Sequence, residues 1–204
     1  MKSVDGVLPR RADGPGPGAD AIRFHAAPMS PPPLRLRPAA PDDAATIAAL
    51  AMQVFLDTYA AEGVRPDLAR EAFAEYSADA FAARLLEPAR AFELAERGSG
   101  LIGFAEILLV ALPAPAGKVA GAELVRLYVQ PAFQGRGVGR NLLRSAESAA
   151  TARGLPALWL TAWEGNHRAS RFYAANGYSD IGATTYTFEG KTYANRVFAR
   201  RFGE

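Results

Sequence analysis

The sequence contains no cysteine among its 204 residues and only two histidines, His25 and His167. The lack of cysteine excludes disulfides, zinc–cysteine sites and thiolate catalysis, and with them a cysteine-bound acyl intermediate. His25 lies in a segment with little apolar periodicity, and a lone histidine such as His167 is more typical of a surface than of a catalytic site. We therefore expect other residue types to carry the chemistry, without a bound metal.

Long apolar runs and a strong charge bias are also missing. No stretch of eighteen apolar residues occurs, so no membrane-spanning segment is predicted. The formal net charge is only +2, which is weak for a nucleic-acid-binding protein even though arginines concentrate at 136–140 and 195–201. We expect neither a membrane nor a nucleic acid as a partner. With 50% hydrophobic residues, the chain is long enough for one domain with a sizeable core.

Residues 1–33 differ in composition from all that follows. They are rich in glycine and proline and show little apolar periodicity, which predicts a disordered N-terminal extension before a folded domain at 34–204. The extension lacks the continuous apolar stretch of a secretory signal, so we expect a cytoplasmic protein. Met29, immediately before the first predicted strand, is an alternative translation start.

From Leu34 onward the pattern alternates between strand-like and helix-like segments. Strands are predicted near 34–37, 91–95, 101–112, 121–130, 157–163, 178–188 and 191–201. Helices are predicted from Pro41, over one or two short segments within 67–87 with Ser77 as an N-cap, and over 137–153 and 167–176. Gly190 is expected to supply the last hairpin turn. These elements predict a mixed central sheet that is covered by helices.

The stretch from Val125 to Leu143 joins a strand, a glycine-rich turn and the start of a helix. Pro131 ends the strand because it has no N–H to donate. Alternating glycines allow positive φ angles and close approach of a ligand to the backbone, namely Gly135, Gly137 and Gly139. Free N–H groups at the helix N-terminus, together with Arg136 and Arg140, favour binding of a phosphate or pyrophosphate.

The spacing of this turn separates it from other glycine-rich loops. A G-x-G-x-x-G dinucleotide motif would need glycine at Arg140 or Leu142, and a P-loop would need glycine at Arg140 followed by lysine. The pattern that remains is Gln134-x-x-Gly137-x-Gly139. It resembles the acetyl-CoA pyrophosphate loop of the GNAT superfamily of N-acetyltransferases.

A second block, Leu158 to Tyr178, strengthens this resemblance. It is similar without gaps to the family's Asn-x-x-Ala-x-x-Phe-Tyr-x-x-x-Gly-Tyr segment, through Asn166, Ala169, Phe172, Tyr173, Gly177 and Tyr178. Taken singly, Asn166 would be explained as a helix N-cap and the aromatic residues as core. Taken together, the two blocks extend the resemblance over roughly Leu34 to Phe202.

The resemblance implies a fold, a co-substrate and a set of contacts. The fold would be an α/β (α+β) GNAT fold, with a central mixed, mostly antiparallel, twisted sheet of six to seven strands flanked by about four helices. The co-substrate would be acetyl-CoA, with the Val129 N–H at the acetyl carbonyl and Tyr173 donating a proton to the leaving sulfur. The implied cofactor-binding residues are Leu127, Tyr128, Val129, Gln134, Gly135, Arg136, Gly137, Val138, Gly139, Arg140, Asn166 and Tyr173.

Transfer to an amine also needs a base, because an alkyl ammonium titrates near pH ~10.4. Glu123 is the candidate, since period-two alternation places it on the same face as Val129, six residues later. A solvated carboxylate near the start of the strand explains Glu123 equally well. Other acids that could line an acceptor pocket are Asp57, Glu62 and Glu164.

The acceptor is suggested by similarity alone. The segment Phe55 to Gly63, the second block and the C-terminal segment look like the branch of polyamine and small-amine N-acetyltransferases, which implies a small amine acceptor. The alternatives are a protein N-terminal or lysine amine, and a regulatory module that binds acetyl-CoA without catalysis. A homodimer is considered because dimers are common in this family.

Overall fold

The structure is a computed structural model that describes residues 32–188 and 191–203, with the side chains of Phe188 and Lys191 left out. The disordered extension predicted for 1–33 falls, apart from Pro32 and Pro33, outside these described residues. The same holds for Met29 and for the turn expected at Gly190.

Seven strands form one mixed sheet in the described part of the chain, in the order β1-β2-β3-β4-β5-β7-β6. The strands are β1 (Leu34–Pro38), β2 (Arg90–Arg97), β3 (Gly100–Pro113), β4 (Ala120–Val129), β5 (Ala157–Trp163), β6 (Ser179–Phe188) and β7 (Lys191–Arg201). All neighbours are antiparallel except β4 and β5, which are parallel. The predicted mixed, mostly antiparallel sheet is confirmed.

Five α-helices occur within the described ranges, since the segment predicted to hold one or two helices forms two. They are α1 (Ala44–Tyr59), α2 (Pro66–Glu75), α3 (Ala78–Leu85), α4 (Val138–Ala152) and α5 (His167–Ala175). Ser77 caps α3, as predicted, because its hydroxyl oxygen accepts the Ala80 N–H at 3.2 Å. None of these helices has the length and apolar character that crossing a membrane requires.

The helices cover both faces of the sheet. Phe104 and Ala105 are successive residues of β3 and therefore point to opposite faces. Phe104 packs in the cluster formed with α1, α2 and α3, whereas Ala105 packs in the cluster formed with α4. The α4 cluster also contains Tyr173 of α5. Helices α1, α2 and α3 thus cover one face at the centre of the sheet, and α4 covers the other.

One extra residue in β4 changes which side chains share a face. Glu106 of β3 pairs with Arg126, but Ile107 pairs with Leu124, which leaves Val125 without an opposite residue. Such a bulge reverses the alternation beyond it. Glu123 consequently lies beside charged side chains on the α1–α3 face, whereas Val129 packs in the α4 cluster. The expectation that Glu123 and Val129 share a face is wrong, because strict alternation does not hold across the bulge.

Candidate active site

The centre of the sheet is split by a notch between β4 and β5. The two strands pair only at Ala122 with Leu158 and at Glu123 with Trp159. Beyond this closed end, residues 124–129 of β4 have no partner across the gap in the described sheet, a length of about 20 Å. The separation exposes the backbone of β4 from the bulge to the end of the strand.

Gly121 lies next to the closed end and allows the two strands to meet there. A Cβ atom at this position would lie 2.3 Å from the carbonyl oxygen of Ala157 in β5. Non-bonded carbon and oxygen atoms do not approach this closely, so any side chain at this position would force the two backbones apart. The glycine is therefore required for the junction from which the strands diverge.

We expect Gly121→Ala to lower the free energy of unfolding by about 1–3 kcal/mol, because overpacking a tight contact costs that much. Denaturant unfolding followed by circular dichroism measures the change. Gly100→Ala is the matched control, since its Cβ would meet only the Arg97 carbonyl oxygen at 3.6 Å, an ordinary contact. Equal losses in both variants would show that the approach at Gly121 is not tight.

Alternate peptide groups of β4 point into the notch. The Gln130 N–H donates to the Ile102 carbonyl of β3 at 3.0 Å. Because the N–H and C=O of one strand residue point to one side and those of the next residue to the other, both groups of Val129 and of Leu127 point toward β5. The Val129 carbonyl accepts the side-chain N–H of Gln134 at 2.8 Å. The Val129 N–H thus lies where a donor for an acyl carbonyl is expected, and its role stays a prediction.

Residues Gln134 to Arg140 form one continuous turn at the head of α4. Gly135 and Gly137 have φ angles of 73° and 81°, and a Cβ at either position would meet only open space. The first hydrogen bond of the helix runs from the Asn141 N–H to the Gly137 carbonyl, so the N–H groups of residues 138–140 have no partner in the helix. These donors form a cradle suited to an anion.

Two arginines from the predicted cofactor-binding residues lie in the same turn as this cradle. Arg136 and Arg140 are exposed, and the Arg136 guanidinium lies 5.9 Å from the ring centroid of Phe133. At Gly139 a Cβ would come into ordinary contact with the Phe172 ring, so the start of α4 packs closely on α5. The structure therefore brings the predicted loop residues together with exposed positive charge. That they bind a cofactor stays a prediction.

Tyr173 lies on the α4 face of the notch. Its ring packs against Tyr178 and Phe198, with centroids 5.8 and 5.9 Å away, and only 8% of the residue is exposed. Burial first, and then the neighbouring phenol of Tyr59, raise the pKa of Tyr173 above its usual value. The hydroxyl is consequently protonated at neutral pH and is able to donate.

Asn166 performs the structural role that its sequence position allows. Its side-chain oxygen accepts the Ala169 N–H at 3.0 Å and caps α5. The cap stabilises the start of α5, the helix that carries Tyr173. A direct contact between Asn166 and a cofactor stays a prediction.

Glu123 is half-buried at the closed end of the notch. Burial raises the pKa of this carboxyl above its usual value, and Glu106 adds to the rise, while Arg90 and Arg126 oppose it. A carboxylate with a raised pKa holds a proton more readily than a solvated one. This electrostatic setting suits a base.

Glu106 was not found by sequence reasoning. It is fully buried, and its carboxylate accepts hydrogen bonds from Arg90 at 2.5 Å and from Arg126 at 2.6 Å. Arg126 also contacts the Glu75 carboxylate at 3.2 Å. The only sequence signal was a glutamate inside the apolar run of β3. These ion pairs hold the side chains of Glu106, Arg90 and Arg126 in place near Glu123.

Sequence reasoning also missed an aromatic cluster at the α1–α3 side of the notch. Its members are Tyr59 of α1, Tyr76 after α2, Tyr128 of β4, Trp163 of β5 and Tyr186 of β6. Tyr59 and Trp163 have ring centroids 6.0 Å apart, and the hydroxyls of Tyr76 and Tyr128 are 3.2 Å apart. Burial, then Tyr76 and Tyr186, raise the pKa of Tyr59 to about 12 although 39% of the residue is exposed. Tyr128, expected among the cofactor-binding residues, thus directs its side chain to this cluster.

The three acids considered for an acceptor pocket lie on separate segments of the chain, and Glu164 directly follows Trp163 of the cluster. Asp57 is exposed and lies two residues from Tyr59 on α1, about 200° around the helix. Glu62 is exposed in the loop after α1, where its charge acts on Arg65. The charge of Glu164 acts on Arg196. No group of three or more potential metal-binding side chains occurs within residues 32–188 and 191–203.

The fold and the site define an acyltransferase that acts on amines, and comparison with known proteins agrees. The acetyltransferase (GNAT) family matches residues 53–178, more than half of the chain, and the protein belongs to this family. An uncharacterized N-acetyltransferase of Mycobacterium bovis is 30% identical over 113 residues, which cover 55% of this chain and 68% of the relative. The predicted GNAT membership is confirmed, whereas the polyamine branch stays a prediction.

Solved structures share the fold. PaiA N-acetyltransferase from Thermoplasma acidophilum, in complex with coenzyme A, has a TM-score of 0.65 at 22% identity, covering 83% of this chain and 99% of that one. A GCN5-related N-acetyltransferase from Rhodopseudomonas palustris has a TM-score of 0.63 at 28% identity, covering 85% and 99%. The predicted GNAT fold is confirmed.

Proposed function

We propose that this N-acetyltransferase moves an acetyl group from acetyl-CoA to a small primary amine by direct attack in a ternary complex, with polyamines among the candidate acceptors. The observation that carries the proposal is the notch between β4 and β5, which begins at Glu123 and leads toward the anion cradle at the head of α4. The fold relative PaiA binds coenzyme A, which supports the same co-substrate here. The chain has no cysteine, so a cysteine-bound acyl intermediate does not enter.

The residues present fit acetyl-CoA. The N–H groups of residues 138–140, with Arg136 and Arg140, would hold the pyrophosphate. The peptide groups of Leu127 and Val129 would bind the amide arm and the acetyl carbonyl along the notch. Bound acetyl-CoA supplies a thioester, whose carbonyl carbon accepts the amine.

Two side chains would handle the protons. Glu123 would take a proton from the ammonium through a chain of waters along the notch, because about 20 Å of β4 separates it from Val129, and the neutral amine would then attack the carbonyl. The C–N bond would form as the C–S bond breaks, with Tyr173 donating its proton to the leaving sulfur. The nitrogen would then release its extra proton through water to the Tyr173 phenolate, which leaves a neutral amide and restores the phenol. The two residues lie on opposite faces of the sheet.

The test is a thiol-release assay with acetyl-CoA and a panel of spermidine, spermine, monoamines, aminoglycosides and peptide N-termini. Turnover of small amines supports the proposal. Turnover of peptides alone would favour the protein N-terminal or lysine alternative. Acetyl-CoA binding by calorimetry without any thiol release would indicate the non-catalytic module. Repeating the assay with a chelator tests whether a metal is required.

We expect Glu123→Gln to lower kcat by about a hundredfold, the usual contribution of a positioned base. The base acts when deprotonated, and the pKa of Glu123 is raised, so wild-type kcat/KM should rise with pH through a midpoint above that of an ordinary glutamate. The glutamine variant should lose this acid limb. Glu123→Asp keeps a carboxylate and should retain the limb. An identical pH profile in wild type and Glu123→Gln would instead mark Glu123 as a solvated carboxylate.

Two further expectations concern the protein in the cell. The cytoplasmic location and the homodimer expected from the sequence stay predictions. Sedimentation of the full chain at several concentrations would determine the oligomeric state.

A further inference from the structure

Tyr59 and Trp163 are in ring contact at the open end of the notch, and the exposed Tyr186 is near enough to Tyr59 to affect its pKa. Large apolar side chains are exposed at seven positions of the described chain, and three of these belong to the aromatic cluster. They are Tyr59 (39% exposed), Trp163 (39%) and Tyr186 (52%), and together we call them the aromatic rim. Tyr59 is the last residue of α1, Trp163 is the last residue of β5, and Tyr186 lies on β6. Grouped exposure of this kind marks a binding surface.

The rim is continuous with the proposed chemistry. Tyr59 contacts Trp163, and Trp163 ends β5, the strand that borders the notch. Behind the rim, Phe55 packs 5.1 Å from Tyr59 and 4.9 Å from Tyr76. A ligand that enters past the rim therefore meets aromatic surface on its way to the notch.

Two carboxylates near the rim already have partners, whereas Glu164, next to Trp163, is exposed. Glu71 accepts the Tyr186 hydroxyl at 3.4 Å. Glu75 pairs with Arg84 at 2.6 Å and with Arg126 at 3.2 Å. A polyamine carries several charges and would need several available carboxylates. The rim offers aromatic surface and neutral phenols beside the exposed carboxylate of Glu164.

The position of the Trp163 ring depends on a glycine. A Cβ at Gly165 would lie 2.4 Å from Cζ2 and 2.6 Å from Cη2 of the indole. The ring therefore lies against the backbone of residue 165. Gly165→Ala should displace the indole from the rim without removing it.

We infer that the acceptor is a primary amine carried on an aromatic body, which the aromatic rim holds by ring contacts while the amine points into the notch. This inference rests on the proposed N-acetyltransferase function and narrows its acceptor class. Aromatic pairs prefer offset-stacked or edge-to-face arrangements, and they stabilise a contact beyond the effect of the apolar area that they bury. The ring planes of Tyr59 and Trp163 are already tilted by 50° relative to each other. The ring thus supplies the binding that ion pairs would supply for a polyamine.

The experiment compares kcat/KM of the full chain for 2-phenylethylamine, hexylamine, spermidine and a peptide with N-terminal phenylalanine. We expect 2-phenylethylamine to exceed each of the others at least tenfold. Trp163→Leu and Gly165→Ala should each lower the ratio of 2-phenylethylamine to hexylamine about tenfold. Phe73→Leu is the control, because Phe73 is 71% exposed on α2 outside the rim and should leave the ratio unchanged. Calorimetry with acetyl-CoA reports that each variant is folded.

Four outcomes would overturn the inference in distinguishable ways. Preference for spermidine or hexylamine would leave an N-acetyltransferase with a different acceptor class. Preference for the peptide over 2-phenylethylamine would favour protein N-termini. An unchanged ratio in both Trp163→Leu and Gly165→Ala would show that the rim does not select the acceptor. If no amine is acetylated while acetyl-CoA binds, the proposed function itself fails.

Discussion

Tyr173→Phe is expected to lower kcat by about a hundredfold, the usual contribution of a positioned acid, and to leave acetyl-CoA affinity within about threefold. The phenylalanine ring keeps the packing against Tyr178 and Phe198, so only the donor to the leaving sulfur is lost. Steady-state thiol release measures kcat, and calorimetry measures the affinity. Because the pKa of Tyr173 is raised and the donor acts when protonated, its titration should not limit wild-type activity below pH ~10.

Tyr178→Phe provides the matched control for this prediction. Tyr178 belongs to the same buried cluster, but its hydroxyl donates to the Glu147 carboxylate at 3.0 Å, away from the proposed chemistry. Its loss should reduce the free energy of unfolding by about 1 kcal/mol and change kcat by less than about threefold. If both variants lose activity equally, packing of the cluster and not proton donation by Tyr173 determines the rate. Full activity in Tyr173→Phe would remove the residue from the mechanism.

The parts of the fold that follow from local sequence were predicted closely. The strand expected at 157–163 is β5 as observed, and the helix expected at 137–153 is α4 over Val138–Ala152. Both are bounded by local signals, because glycines precede α4 and an apolar run of strand length forms β5. The anion cradle and Tyr173 were found for the same reason, since each lies within one short continuous segment.

The bulge at Val125 had no such signal. Residues 124–129 are mostly good strand formers, and the extra residue is visible only from the partners of Glu106 and Ile107 in β3. Register is a property of two strands together, so a single segment does not determine it. For this reason the face of Glu123 was assigned wrongly, although its place near the start of the strand was correct.

The aromatic rim shows the same limit over a longer range. Tyr59, Trp163 and Tyr186 are scattered over more than a hundred residues and share no spacing. Tyr59 of α1 reaches Trp163 at the end of β5 only through tertiary packing, and Tyr186 lies on β6, which is separated from β5 by β7. The acceptor selectivity proposed for the rim would depend on tertiary contacts, whereas the proposed binding of the co-substrate depends on a motif. This difference explains why the sequence predicted the reaction class more firmly than its acceptor.

Gly137→Ala is expected to weaken acetyl-CoA binding at least tenfold. Gly137 has a φ angle of 81° at the N-cap of α4, a conformation that costs an alanine about 1–2 kcal/mol. Relief of this strain would rotate the peptide groups that lead into residues 138–140, and the donors proposed for the pyrophosphate would no longer converge. Calorimetric titration with acetyl-CoA measures the dissociation constant.

Gly154→Ala separates this effect from general destabilisation. Gly154 has a φ angle of 70° in the turn after α4, and a Cβ there would also meet open space, so the backbone strain is matched. Both variants should lose similar free energy of unfolding, but Gly154→Ala should bind acetyl-CoA normally. Acetyl-pantetheine lacks the pyrophosphate, and its turnover should therefore be reduced far less by Gly137→Ala than that of acetyl-CoA. Equal losses with both donors would show that the turn does not act through the pyrophosphate.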